Sequence, residues 1–179
     1  MTLAPHVSSV TKTAHYNLRN LACIRKYLDD TSAEKAVHAF VTSRLDCGNA
    51  LLFGIRQTSI QKLQKVQNTA AKLVLKRRKY AHVTPLLRQL HWLPIKFRID
   101  FKLLVLTFKC IHNVAPSYLS QMLHIQEGVR TTRSSDTLRL HVPRTHSKFG
   151  GDRAFSAAAP RLWNALPVEL KKLDSLNKF

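Results

Sequence analysis

The sequence predicts a mainly α protein: a multi-helix body followed by a small C-terminal β-hairpin plus helix. Three observations carry this. First, residues 95–111 form the most apolar segment, with Ile95, Ile99, Leu103, Leu106 and Cys110 recurring at steps of three and four along one helical face. Phe97, Phe101, Leu104, Val105 and Phe108 spread apolar surface around the rest, which predicts a buried central helix. Second, residues 60–74 repeat the pattern, with Ile60, Leu63, Val66 or Gln67, Ala70 and Val74 as the buried stripe. Third, only 5 of the 179 residues are glycine, which disfavours a turn-rich all-β fold.

Taken in order, residues 1–9 read as a loose tail without the apolar run of a signal peptide. Residues 10–28 read as a helix with Leu18, Leu21, Ile24 or Arg25, and Leu28 facing a core. Thr31 or Ser32 is the expected cap of a second helix, with Glu34 in its first turn suiting the helix dipole. Ala36, Ala39, Phe40, Ser43 and Leu45 are expected to face inward. Gly48 and Gly54 bracket the short apolar connector N-A-L-L-F. Thr58 or Ser59 begins the third helix. Thr84-Pro85 reads as a helix start, and Pro94 as the end of the short helix built on Leu86, Leu87 and Leu90.

Past the central helix, Ala115-Pro116 is a break and residues 117–123 a further short turn or helix. A helical domain over residues 10–125 therefore joins, through a polar, basic linker at 126–136, an appendage at 137–179. There Thr137, Leu138, Leu140 and Val142 form an extended run, with a return strand opening at Phe149. Residues 153–163 are helical, with Pro160 as a kink or restart, and residues 167–173 begin a last helix.

The charge balance narrows the partners. Lys and Arg number 29 against 10 Asp and Glu, a formal net charge of +19. Such an excess favours a polyanion: RNA, DNA or an acidic membrane surface. The alternative is a basic face that once met another part of a larger protein. No apolar run approaches the roughly 20 residues of a membrane span. Cys23, Cys47 and Cys110 are an odd number without C-x-x-C spacing, so neither a disulfide framework nor a zinc knuckle is expected. A reducing compartment fits, and the expected location is intracellular, in cytoplasm, nucleus or both.

The best functional candidate is a lysine face. Lys62, Lys65, Thr69, Lys72 and Lys76 recur at steps of three and four, which puts four lysines on one side of the third helix. The helix runs into K-R-R-K, Lys76, Arg77, Arg78 and Lys79, which also reads as a nuclear-localisation patch. No acidic residue occurs from Cys47 through Ile99. A merely solvated face usually mixes signs, so Lys62, Lys65, Lys72, Lys76, Arg77, Arg78 and Lys79 are read as tracking a phosphate backbone. Tyr80, His82 and Trp92 are near enough in sequence to stack on unpaired bases.

Other motifs carry less. Tyr27-Leu28-Asp29-Asp30 matches the Y-x-D-D string of reverse-transcriptase active sites, but it lies between helical patterns rather than between strands, and no Asp precedes Asp29. It reads as polar residues closing one helix and starting the next. His141 and His146 would face each other across the hairpin, yet no carboxylate or Cys completes a metal set. No catalytic residue, metal ligand or cofactor is expected.

At H-W-L-P (His91 to Pro94), R-I-D-F-K (Arg98 to Lys102) and A-P-S-Y-L (Ala115 to Leu119), the chain resembles the region that follows the reverse-transcriptase domain in non-LTR retrotransposon (LINE) polyproteins of the jockey and chicken-repeat type. Further matching stretches are S-R-L-D (Ser43 to Asp46), K-L-Q-K-V-Q-N-T-A-A (Lys62 to Ala71), V-P-R (Val142 to Arg144), G-D-R-A-F-S (Gly151 to Ser156) and A-A-P-R-L-W-N-A-L-P (Ala158 to Pro167). They run collinearly from about Tyr16 to the end. The family's L-D-Y-C-N is here L-D-C-G-N, with Cys47 and Gly48 replacing Tyr and Cys. The resemblance implies an element that copies its RNA into DNA at a nicked target, with endonuclease and polymerase ahead of this segment. It implies a non-enzymatic piece, truncated at its end, that clamps template RNA or an RNA/DNA primer duplex. DNA is a further candidate partner, as is the reverse-transcriptase domain itself. The alternative function is a structural packing module of that polymerase; a polymerase remnant using Asp29 and Asp30 is the third.

Overall fold

Helix α1 spans Ala4–Ile24, with Pro5 in its first turn and the Leu3 carbonyl accepting from the Val7 N–H at 3.0 Å. The computed structural model describes residues 3–126, 138–147, 150–173 and 175–176. The expected tail at 1–9 is therefore largely helix: a proline is tolerated where no intrahelical partner exists for its nitrogen, and Val7 is buried. A 3₁₀ turn, Arg25–Tyr27, ends α1.

Helix α2 (Asp30–Val37) is capped by Asp29, whose carboxylate accepts the Ser32 N–H at 3.3 Å, rather than by Thr31 or Ser32. It passes through a π turn, His38–Thr42, into α3 (Ser43–Asp46). Ala33, Val37, Val41 and Leu45 are buried, whereas Ala36 is only half-buried and Ala39, Phe40 and Ser43 face out. On an ideal helix, positions four apart drift by about 40° per step. The wider i→i+5 bonding of a π turn keeps this four-residue stripe in line. The expected inward face assumed a uniform α register, and of it only Leu45 is fully buried. Gly48 and Gly54 take φ +64° and +67°, the left-handed region that favours glycine, on either side of the 3₁₀ turn Asn49–Leu52.

Helix α4 (Gln57–Val74) buries Leu63, Val66, Gln67, Ala70, Ala71 and Val74. Helix α5 spans Val83–Gln89, so Pro85 stands third in the helix rather than first. Helix α6, Ile95–Ile111, matches the expected central helix in extent. It is not buried all round: Phe97 and Phe101 are 56% and 48% exposed. Helices α4, α5 and α6 close in the same way. Lys76, His91 and Asn113 each adopt a positive φ just beyond the helix end. Behind them, Lys76 N–H bonds Leu73 O and Arg77 N–H bonds Lys72 O; His91 and Trp92 bond Arg88 and Leu87; Asn113 and Val114 bond Cys110 and Lys109. These are Schellman closures built on non-glycine residues. They, not Pro94 or Ala115-Pro116, terminate α5 and α6.

The chain divides into two compact units, Met1–Ile99 and Asp100–Phe179, with the division inside α6 rather than at the linker expected over 126–136. Residues 127–136 of that linker lie outside the described residues. The core of the first unit joins Val7, Leu18 and Leu21 of α1, Val37, Val41 and Leu45, the α4 stripe, Leu86 and Leu87 of α5, Trp92, Ile95 and Ile99. Gln64 and Gln67 lock the α5–α6 connector to α4. Gln67 donates to the Leu93 carbonyl at 2.8 Å, and Gln64 accepts the Ile95 N–H at 2.9 Å. A buried amide with both ends bonded fixes register without leaving a polar group stranded.

In the second unit, Phe108, Leu140 and Trp163 form the core. This unit holds the part of α6 from Asp100 onward, together with α7 (Ser117–Ser120), α8 (Phe155–Asn164, with Pro160 inside it) and α9 (Val168–Lys171). Among the described residues there is no strand, so the hairpin expectation is corrected. Leu140 instead makes a single antiparallel bridge with Ile125, flanked by Gln126 N–H to Arg139 O at 2.9 Å and His141 N–H to His124 O at 2.8 Å. The Leu140 backbone groups turned away from that bridge go to one side chain. Its N–H donates to Asn164 Oδ1 at 3.0 Å, and its carbonyl accepts from Asn164 Nδ2 at 2.8 Å. An amide side chain thus takes the place of a second neighbouring strand. Thr137 and Phe149, expected at the ends of the hairpin, lie outside the described residues.

Candidate nucleic-acid interface

The candidate surface is the outer side and C-terminal end of α4. Lys62 and Lys65 are exposed on the helix, opposite its apolar stripe. Lys72 is half-buried, and its ammonium donates to the Lys79 carbonyl. Lys76 is not on the helix: α4 ends at Val74, and Lys76 occupies the left-handed position beyond it. The expected four-lysine stripe is therefore three helical lysines, one of them tied down, followed by a tight basic turn. In that turn Lys76, Arg77, Arg78 and Lys79 are all exposed, and the Ala81 N–H bonds Arg78 O at 3.0 Å.

This end of α4 is built by a residue the sequence offered only as a core alternative. Arg25 is buried, and its guanidinium donates to Leu73 O at 2.9 Å, Val74 O at 2.5 Å and Leu28 O at 2.6 Å, and to the Asp30 carboxylate. The last carbonyls of a helix lack intrahelical donors and carry the negative end of its dipole. A buried guanidinium satisfies both. It also fastens the 3₁₀ turn Arg25–Tyr27 to the end of α4, beside the basic turn.

That placement adds Lys26 and Tyr27 to the surface. Lys26 Nζ lies 4.7 Å from the centroid of the Tyr27 ring, and Lys79 Nζ lies 5.9 Å from that of Tyr80. The two rings are 77% and 89% exposed. His82 is exposed as well. Trp92 is not available for stacking: it is buried, its indole N–H reaches Glu34 Oε1 at 3.3 Å, and its ring lies 5.4 Å from that of His38. In the sequence only its nearness to the basic run suggests it for stacking. The Schellman turn at His91 instead folds the indole inward.

Electrostatically the surface is one-signed with one local exception. Among the described residues no ion pair engages Lys62, Lys65, Lys72, Lys76, Arg77, Arg78 or Lys79. Asp30 comes near through its pairing with Arg25, a closeness that the acid-free span of sequence does not reveal. Asp29 is held below its ordinary 3.8 by hydrogen bonds from Ser32, side chain first and then backbone N–H. The two aspartates of Y-L-D-D thus cap one helix and neutralise one arginine, at a junction of helices rather than a turn between strands. His141 and His146 are both exposed, and the hairpin that would pair them is not present among the described residues. No group of three or more His, Cys, Asp or Glu among the described residues is placed to hold a metal ion. No helix among them is long and apolar enough to cross a membrane. Comparison with protein-family models, curated proteins and solved structures finds no match.

Proposed function

We propose that the chain is a non-catalytic nucleic-acid-binding segment for RNA or an RNA/DNA hybrid, derived from a retrotransposon RNA-directed DNA polymerase. The observation that carries the binding reading is the surface at the end of α4. Exposed Lys62, Lys65, Lys76, Arg77, Arg78 and Lys79 have no acidic partner among the described residues, and Lys72 shapes the turn that presents them. Cations in such an arrangement neutralise phosphates and release counterions. The origin rests on the resemblance alone. Changing Lys62, Lys65, Lys72 and Lys76 together to Ala is expected to weaken RNA binding and to lower the salt slope by about one for each phosphate no longer neutralised, with the helix content by circular dichroism retained. Unchanged RNA affinity would sink the proposal.

A second reading, a packing module of the polymerase without activity of its own, has its own support. Leu93 and Phe97 remain 47% and 56% exposed at the start of α6. Several of the stretches that carry the resemblance are engaged in internal contacts. Asp46 of S-R-L-D lies 3.4 Å from Arg98 of R-I-D-F-K, and Asp152 of G-D-R-A-F-S lies 2.7 Å from Arg161 of A-A-P-R-L-W-N-A-L-P. On this reading the partner is a reverse-transcriptase domain, and the four-lysine variant binds RNA no differently from the parent chain.

A further inference from the structure

We infer that the end of α4 selects unpaired bases over duplex, through Tyr27 and Tyr80 acting as two stacking platforms among the phosphate-binding cations. The inference rests on the nucleic-acid-binding reading and deepens it by naming the class of strand. A purely electrostatic surface does not need aromatic side chains, and exposing them forfeits apolar burial. Here two tyrosines from distant parts of the chain stand 77% and 89% exposed at the same helix end. Arg25 brings them there: it belongs to the same 3₁₀ turn as Tyr27 and clasps the Leu73 and Val74 carbonyls, after which the chain runs through the basic turn to Tyr80. The Lys72 bond to the Lys79 carbonyl folds that turn back and fixes where Tyr80 begins.

Each ring carries its own lysine, Lys26 at 4.7 Å and Lys79 at 5.9 Å from the centroid. An exposed ring with an ammonium beside it offers a base a π face and its phosphate a counter-charge, which is the pairing that single-stranded binding uses. In a duplex the base faces are stacked on one another, so the rings would meet only the backbone. Asp29 and Asp30 are the acidic groups beside Tyr27; Asp30 is neutralised by Arg25, and Asp29 is committed to the α2 cap.

The test uses the full chain and measures affinity for a single-stranded RNA oligonucleotide and for the RNA duplex of the same length, at one salt concentration and across a salt series. Tyr27→Leu/Tyr80→Leu is expected to lose about tenfold or more for the single strand. Duplex affinity and the salt slope should stay unchanged. Tyr27→Phe/Tyr80→Phe keeps the rings and should restore single-strand affinity. The lysine variant, by contrast, should weaken both substrates. Equal loss on both substrates, or no loss on the single strand, would overturn the stacking role while leaving the binding surface standing. No binding of either substrate by the parent chain would overturn both.

Discussion

Arg25 shows how much one side chain can settle. In the sequence it sits where a helical stripe admits either Ile24 or Arg25, and apolarity favours Ile24. The structure exposes Ile24 and buries Arg25. The deciding quantity is hydrogen bonding: the carbonyls of Leu28 and Val74 need donors, the Leu73 carbonyl has a lone pair left beside its bond from the Lys76 N–H, and one guanidinium reaches all three. Replacing Arg25 with Met would keep much of the volume and strand the Leu28 and Val74 carbonyls beside an unpaired Asp30. The expected loss is roughly 2–3 kcal/mol, since bonds to a charged group are each worth more than neutral ones. Chemical denaturation of Arg25→Met against the parent chain checks it, and a loss under about 0.5 kcal/mol, the range of an ordinary surface substitution, would contradict the role. Such a residue is hard to find from sequence, because its partners lie 48 and 49 positions away. The same holds for Asn164, whose amide completes Leu140 from 24 positions downstream.

At the level of elements, what could be read from the sequence was periodicity, and what could not was termination. The apolar stripes of α4 and α6 locate both helices closely, and the α4 stripe is buried nearly as its spacing requires. The helix ends are set by backbone closures that carry no glycine to announce them. Lys76 and His91 hold the left-handed position that a glycine usually takes. This is why the lysine spacing overran α4 and why Trp92 looked exposed. The π turn at His38–Thr42 is invisible for a related reason: it leaves composition unchanged and alters only which residues line up. An L-residue with positive φ is disfavoured by crowding of its Cβ, so His91→Gly is expected to stabilise the first unit by about 0.5–1 kcal/mol. A thermal melt showing a lower Tm for His91→Gly would mean that the imidazole makes a contribution larger than that strain.

For the whole molecule, the excess of positive charge is the property most directly readable from sequence and also the least specific. The structure gives part of it a location, at the end of α4, where two chain segments join and place cations beside exposed tyrosines. Two of the side chains expected there have other roles: Lys72 serves the turn and Trp92 serves the core. The quoted stretches of family resemblance behave differently from the basic surface. Ion pairs join Ser43–Asp46 to Arg98–Lys102 and Gly151–Ser156 to Ala158–Pro167, and Gln64 and Gln67 hold the connector that includes Leu93. Those contacts are internal to each unit, while the exposed cations carry the proposed attraction to a polyanion. The most direct measurement of the central claim is the affinity of the purified chain for single-stranded RNA between about 50 and 200 mM salt. With roughly 6–10 phosphates neutralised, affinity should fall by about 10³–10⁵ over that range. A change of less than about tenfold, or no binding at the lowest salt, would contradict the account and leave the packing reading in its place.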